Sequence, residues 1–205
     1  MAYRGGVNYT DTLGTTAIWD SIIFRDLSSR GVIIPSNEDK IKTDYPGGYV
    51  KHPQVGLHEW VVSFDLNSLY PNIIVEWNMS PETIVEGERV LVNPDKILDG
   101  IINPNPNYAL AANGVSFRKD AQGVLPKIIV DYYNERKAIK KQMLESQQEK
   151  ENLDKSNKIE LYRVERDIAR YENQQMAIKI LLNSLYGALG LSLIHISEPT
   201  RRRGI

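Results

Sequence analysis

Apolar residues recur at helical spacing through Ala17-Ile18-Trp19-Asp20-Ser21-Ile22-Ile23-Phe24, which predicts a helix over about residues 16–25. An extended Gly31-Val32-Ile33-Ile34-Pro35 follows, broken by Pro35, Ser36 and Asn37. Tyr45-Pro46-Gly47-Gly48-Tyr49 reads as a turn whose paired glycines permit positive φ or close approach of another backbone. Trp60-Val61-Val62-Ser63-Phe64 is apolar and β-branched, predicting a buried strand that runs directly into Asp65. Ile73, Ile74 and Trp77 predict a short helix with Pro71 in its first turn. Between residues 83 and 124, turn signals at Asn103-Pro104-Asn105-Pro106, Asn113-Gly114 and Gln122-Gly123 predict short antiparallel strands. From Lys127 the pattern changes. A charged, proline-free helix is expected to about Lys150, an interruption at 153–157, and a second helix from Lys158 to about Leu189. Two long helices on a short connection predict an antiparallel hairpin projecting from the small sheet.

Composition adds exclusions more than direction. The 205 residues are 41% hydrophobic and 25% charged, enough for one large or two small soluble domains. Lys and Arg number 25 against 26 Asp and Glu, a net charge of −1 that says nothing of a local basic face. Cysteine is absent, which excludes disulfides and thiolate metal sites. His52, His58 and His195 are too scattered for a zinc site. No apolar run reaches the length of a membrane span, and the N-terminus lacks a signal-peptide pattern.

Three constellations carry candidate chemistry. In Ser63-Phe64-Asp65-Leu66-Asn67-Ser68-Leu69-Tyr70-Pro71, an acid following a buried strand is placed to bind a hard cation through carboxylate and carbonyl oxygens. The helix start after it offers free N–H groups to a phosphate; alone, the same pattern is also an ordinary helix-capping Asp. In Lys179-Ile180-Leu181-Leu182-Asn183-Ser184-Leu185-Tyr186-Gly187, Lys179, Asn183 and Tyr186 share one helix face, with Ile180, Leu181 and Leu185 on the apolar side. Ammonium, amide and phenol in one row suit a phosphate tail, a base pair and a sugar, although for three isolated residues a solvated polar stripe is the better reading. Arg136 and Lys140 lie one turn apart on the opposing helix, and antiparallel packing brings them towards Lys179 as a pocket of three cations matched to a triphosphate. A charged helical hairpin is also what a non-catalytic interaction module would show.

The set, in this order, resembles the family B DNA polymerases, most closely those of T-even-type bacteriophages. FDLNSLYPNII is similar to the family's motif A and KILLNSLYGALG to its motif B. Similarity extends through YPGGYVKHP, WNMSPETI and NGVSFRKDAQGVLP, covering about residues 9–190. The resemblance implies an α+β fold from a right-hand polymerase: residues 1–36 connecting from an exonuclease domain, 37–122 palm, and 123–190 a fingers hairpin. It implies template-directed addition of deoxynucleoside triphosphates to a primer 3′-hydroxyl with two Mg²⁺ ions. Asp65 and the Leu66 carbonyl would then be metal ligands, with Asp65 catalytic. Ser68, Leu69 and Tyr70 would hold the triphosphate, with Tyr70 also excluding a 2′-hydroxyl. Arg136, Lys140 and Lys179 would grip the triphosphate, while Asn183, Tyr186 and Gly187 would border the nascent base pair and template. Tyr45, Gly47 and Gly48 resemble a less specific element that contacts the template strand. Implied partners are primer–template DNA and, for the intact enzyme, a sliding clamp and a single-stranded-DNA-binding protein, in the cytoplasm of an infected bacterium.

Departures limit what the chain is expected to do alone. Nothing in it resembles motif C, the Asp-Thr-Asp element supplying the second metal-binding aspartate, nor a thumb, a clamp-binding tail or exonuclease motifs. The hairpin is shorter than in the best-known phage members, and no role attaches to its tip near residues 144–157. After Gly190 the resemblance stops, and Leu191-Ser192-Leu193-Ile194-His195-Ile196-Ser197-Glu198-Pro199-Thr200-Arg201 resembles a translated sequencing adaptor. Residues 191–205 are therefore expected to be a non-native tail, and the chain an inactive fragment.

Overall fold

A computed structural model describes residues 1–33, 52–87, 90–92, 95–96, 99–102, 105–111 and 113–195, with side chains through Leu189. Tyr45, Gly47 and Gly48 lie outside the described residues. Among those described, the helices are α1 (Ala2–Gly5), α2 (Thr15–Ser29), α3 (Leu69–Glu76), α4 (Val124–Asn152) and α5 (Lys158–His195). Short 3₁₀ turns occupy Tyr9–Leu13 and Pro81–Thr83. Strands β1 (Tyr108–Leu110) and β2 (Ser116–Arg118) pair antiparallel with Ala109 opposite Phe117, and Ile84 adds a single bridge to Phe117. Helices with a small antiparallel sheet make the class α+β.

The two long helices form the expected antiparallel hairpin. Glu149 meets Arg163 at 2.8 Å, Lys150 meets Glu165 at 2.7 Å, and Arg136 meets Gln175 at 3.3 Å, so descending one helix means ascending the other. Exposed ion pairs of this kind contribute only about 0–1 kcal/mol each. The stability lies at the base, where Leu125, Ile128, Ile129 and Ile139 of α4 pack on Ile178, Leu181, Leu182, Leu185 and Ala188 of α5. Ile180, expected on that apolar side, is instead about half exposed (48%), and Ile178 and Leu182 take the buried positions.

The N-terminal stretch, read from sequence as a connector, supplies one wall of this core. Ile18, Trp19 and Ile22 of α2 and Ile74 of α3 belong to the same cluster. The Trp19 indole N–H donates to the Leu181 carbonyl and the Ser184 Oγ, both at 3.2 Å, satisfying the one polar atom that ring buries. Tyr132 meets Trp19 edge to face at 6.2 Å, and burial pushes its phenol pKa above the usual value.

A polar hub fixes where α4 begins. Asn78, left-handed at φ 52° as its side chain tolerates, donates to the carbonyls of Arg118 (2.6 Å) and Ala121 (2.7 Å). Its Oδ1 accepts from the Gly123 N–H at 2.8 Å. The first free amides of α4 are met from the same segment: Glu82 Oε1 accepts from Val124 N–H (2.5 Å) and Ser80 Oγ from Leu125 N–H (3.3 Å). Gly123 is the N-cap and has no side chain to cap with, because a Cβ there would stand 2.6 Å from the Ser80 Cβ. The cap is thus supplied from about forty residues upstream, with a carboxylate favourably placed at the helix's positive end.

One expectation fails. Residues 60–64 form no strand, and Trp60, Val61, Val62 and Phe64 are 70–94% exposed. A β-branched run becomes a buried strand only when neighbours pair with it and cover it, and among the described residues none does. Asp65 accordingly follows an exposed, irregular segment rather than a buried sheet edge. A second difference lies at the far end, where the backbone of α5 continues to His195 through residues expected to stand outside the fold. Extending an existing helix fixes one residue per added bond, and Leu191–His195 contains no proline or glycine to stop it.

Candidate functional site

The loop before α3 faces the hairpin across a cleft of about 1000 Å³. Asp65, Asn67 and Ser68 line one side, and Arg136 and Lys140 of α4 with Lys179 and Asn183 of α5 line the other. Helical spacing explains the second side. Arg136 and Lys140 are one turn apart on α4, Lys179 and Asn183 one turn apart on α5, and antiparallel packing brings both pairs to the same opening. Leu181 and Leu185, within the same run of α5, are 1% exposed and hold it against the core.

Two lining cations and two neighbours were not anticipated from the sequence in any role: Lys137 and Lys141 extend the basic wall, and Tyr133 and Asn134 border it. Of the ionisable side chains lining the cleft, Asp65 is the acid, set against Arg136, Lys137, Lys140, Lys141 and Lys179. A chain of net charge −1 thus sets five cations around one concave opening. The neighbouring basic residues are legible in Arg136-Lys137-Ala138-Ile139-Lys140-Lys141, where i, i+1, i+4 and i+5 fall on one broad helix face.

Ser68 precedes α3 in the left-handed region at φ 52°. No side chain caps this helix, so the N–H groups of Leu69 and Tyr70 open it without intrahelical carbonyl partners. Asn72 steadies the turn by donating from Nδ2 to the Asn67 carbonyl at 2.9 Å. Leu66 is 67% exposed. Tyr70 stacks on Tyr186 with ring centroids 4.4 Å apart and planes 11° from parallel, joining the two candidate segments through their aromatics. A Cβ at Gly187 would meet no atom within 4 Å, so the chain's own packing does not require glycine there.

The cleft therefore combines one carboxylate with a cationic wall. The half-exposed Tyr70 and Tyr186, like Leu66, Leu69 and Gly187, are not among its lining residues and adjoin it only through the segments that carry Asp65, Ser68 and Asn183. Such a set can take a polyanion with a hard cation and a flat or ring-shaped group beside it. Among the described residues, no three His, Cys, Asp or Glu side chains gather into a complete metal site. No described helix is long and apolar enough to cross a membrane.

The family model described as DNA polymerase family B matches residues 10–195, running past Gly190. A DNA-directed DNA polymerase of Escherichia phage RB69 is 32% identical over 93% of this chain and 25% of its own length. The corresponding protein of Enterobacteria phage T4 is 29% identical over the same shares. DNA polymerase 1 of Pyrococcus abyssi is 33% identical over 82% of this chain and 18% of its own length. The chain spans about a quarter of the length of the phage relatives it matches.

Proposed function

The chain belongs to DNA polymerase family B, and we propose that its cleft receives the triphosphate of an incoming deoxynucleoside triphosphate during template-directed extension of a primer. The observation carrying this reading is the meeting of Asp65 with Arg136, Lys140 and Lys179 around one opening. In this reading residues 37–122 are palm, 123–190 fingers, 1–36 a connection from an upstream domain, and 191–205 a non-native tail. The alternative, a non-catalytic interaction module on the hairpin, leaves the convergence of Asp65 with those cations without a purpose.

Asp65 and the Leu66 carbonyl are the hard oxygen donors that Mg²⁺ takes, and phosphate oxygens with a second acidic segment would complete its shell. Mg²⁺ held there would make the primer hydroxyl more acidic and offset charge developing on the transferred phosphate. Arg136 offers the triphosphate a planar fork, whereas Lys140 and Lys179 offer point charges. The open amides of Leu69 and Tyr70, beside Ser68, add directional donors. Tyr70 places a ring where the sugar would lie, and Asn183 and Tyr186 border the base pair. The free space at Gly187 suits template DNA docking closely. Primer–template DNA is the proposed partner, with a sliding clamp and a single-stranded-DNA-binding protein joining the intact enzyme in the infected cell's cytoplasm.

Lys179→Ala is expected to weaken dATP binding to this chain by roughly tenfold, the loss of one charge-assisted contact. Calorimetric titration in magnesium buffer checks it, and unchanged affinity would remove Lys179 from the site. In the intact enzyme, Tyr70→Ala is expected to raise ribonucleotide incorporation relative to deoxyribonucleotide by roughly a hundredfold. Competitive single-nucleotide extension measures that ratio, and an unaltered sugar preference rules out the ring as the gate.

A further inference from the structure

The cleft cations differ in how they are held. Lys140 and Lys179 are exposed, whereas Arg136 is partly enclosed and has a partner across the hairpin. Its Nε–H donates to the Gln175 Oε1 at 3.3 Å. Gln175 stands one helical turn before Lys179 and two before Asn183, continuing their row on α5.

We infer that Gln175 is a positioning residue for Arg136: by engaging the Nε–H, it turns the two terminal amino groups of the guanidinium into the cleft as a fork for the triphosphate. This rests on the nucleotide reading above. A guanidinium has five donors in fixed geometry, and tying down the one on its stem side fixes the plane while leaving the forked face free. Preorganised donors lose less entropy on binding than a freely rotating chain does.

The identity of the partner matters as much as its place. Further out on the same hairpin, cations crossing between the helices meet carboxylates: Lys150 meets Glu165, and Arg163 meets Glu149. At the cleft the contact is to a neutral amide. A carboxylate at position 175 would satisfy the geometry but neutralise the charge that an anionic ligand needs. Gln175 orients Arg136 without competing for it.

The test uses the 205-residue chain titrated with dATP in magnesium buffer, with circular-dichroism melting to verify that each variant is folded. Arg136→Ala is expected to weaken binding roughly tenfold and Gln175→Ala about threefold. Gln175→Glu is expected to cost at least as much as Arg136→Ala, yet to cost nothing further in the Arg136→Ala background. An equal loss from Gln175→Glu in both backgrounds, or wild-type binding by both Gln175 variants, overturns the proposal. A second readout needs no nucleotide. The arginine Nε–H resonance of Arg136 should exchange slowly with solvent in the wild-type chain and quickly in Gln175→Ala. If the wild-type chain binds no dATP, the cleft reading falls, and this resonance still decides the contact: no difference in exchange overturns it.

Discussion

Replacing Asp65 by Ala in the intact enzyme is expected to abolish primer extension while leaving primer–template binding close to wild type. The loss should be roughly 10³-fold or more, because a bound metal supplies several kcal/mol of charge stabilisation and each 1.36 kcal/mol is tenfold in rate. The carboxylate is exposed at the mouth of the cleft, so its removal should cost the fold little. Single-turnover extension and a gel-shift titration separate the two effects. Asp65→Asn is the sharper control, since it keeps the shape and removes the charge. Extension surviving in either variant would mean that Asp65 is not the metal-binding acid.

The second large effect concerns stability and comes from Asn78. Its side chain makes three hydrogen bonds, to Arg118, Ala121 and Gly123, at a residue that is only 9% exposed. Asn78→Ala would leave two carbonyls and one N–H short of partners and put a non-Asn residue in the left-handed region. The expected destabilisation is about 3–4 kcal/mol, with a fall in melting temperature on the order of 10 °C. Urea or thermal unfolding followed by helical circular dichroism measures it. Asn78→Asp, which keeps the acceptor for Gly123 but sets a carboxylate oxygen against the Arg118 and Ala121 carbonyls, should be destabilised at least as much. A loss below about 1 kcal/mol would mean that the hub is not what anchors α4.

The helices were legible because their signals are local. Ile18, Trp19 and Ile22 announce α2 by spacing alone, and the proline-free run after Lys127 announces α4, although Pro126 conceals that the helix starts at Val124. The cleft was legible in part, since Lys179, Asn183, Arg136 and Lys140 each declare a face, and antiparallel packing does the rest. Residues 60–64 misled because strand propensity reports a surface awaiting neighbours, and the chain's described residues do not supply them. The Asn78–Ser80–Glu82 hub was invisible for the opposite reason. WNMSPET carries a local capping pattern for its own 3₁₀ turn, and nothing in its spacing reveals that Ser80 and Glu82 also serve a helix more than forty residues later. Gln175 was missed because one amide in Glu172-Asn173-Gln174-Gln175 is indistinguishable from solvated polar surface until Arg136 stands opposite.

Because the hub anchors the hairpin from below, the distances that matter are counted from the base and not from the tip. Arg136, Lys140, Gln175 and Lys179 keep their places relative to Asp65 as long as the first turns of α4 and the last turns of α5 are held. Residues inserted or removed near Leu153 only lengthen or shorten a lever whose far end carries exposed ion pairs. An architecture of this kind separates two tolerances: the tip can change in length without moving the cleft, while the register at the root is held by a handful of backbone amides.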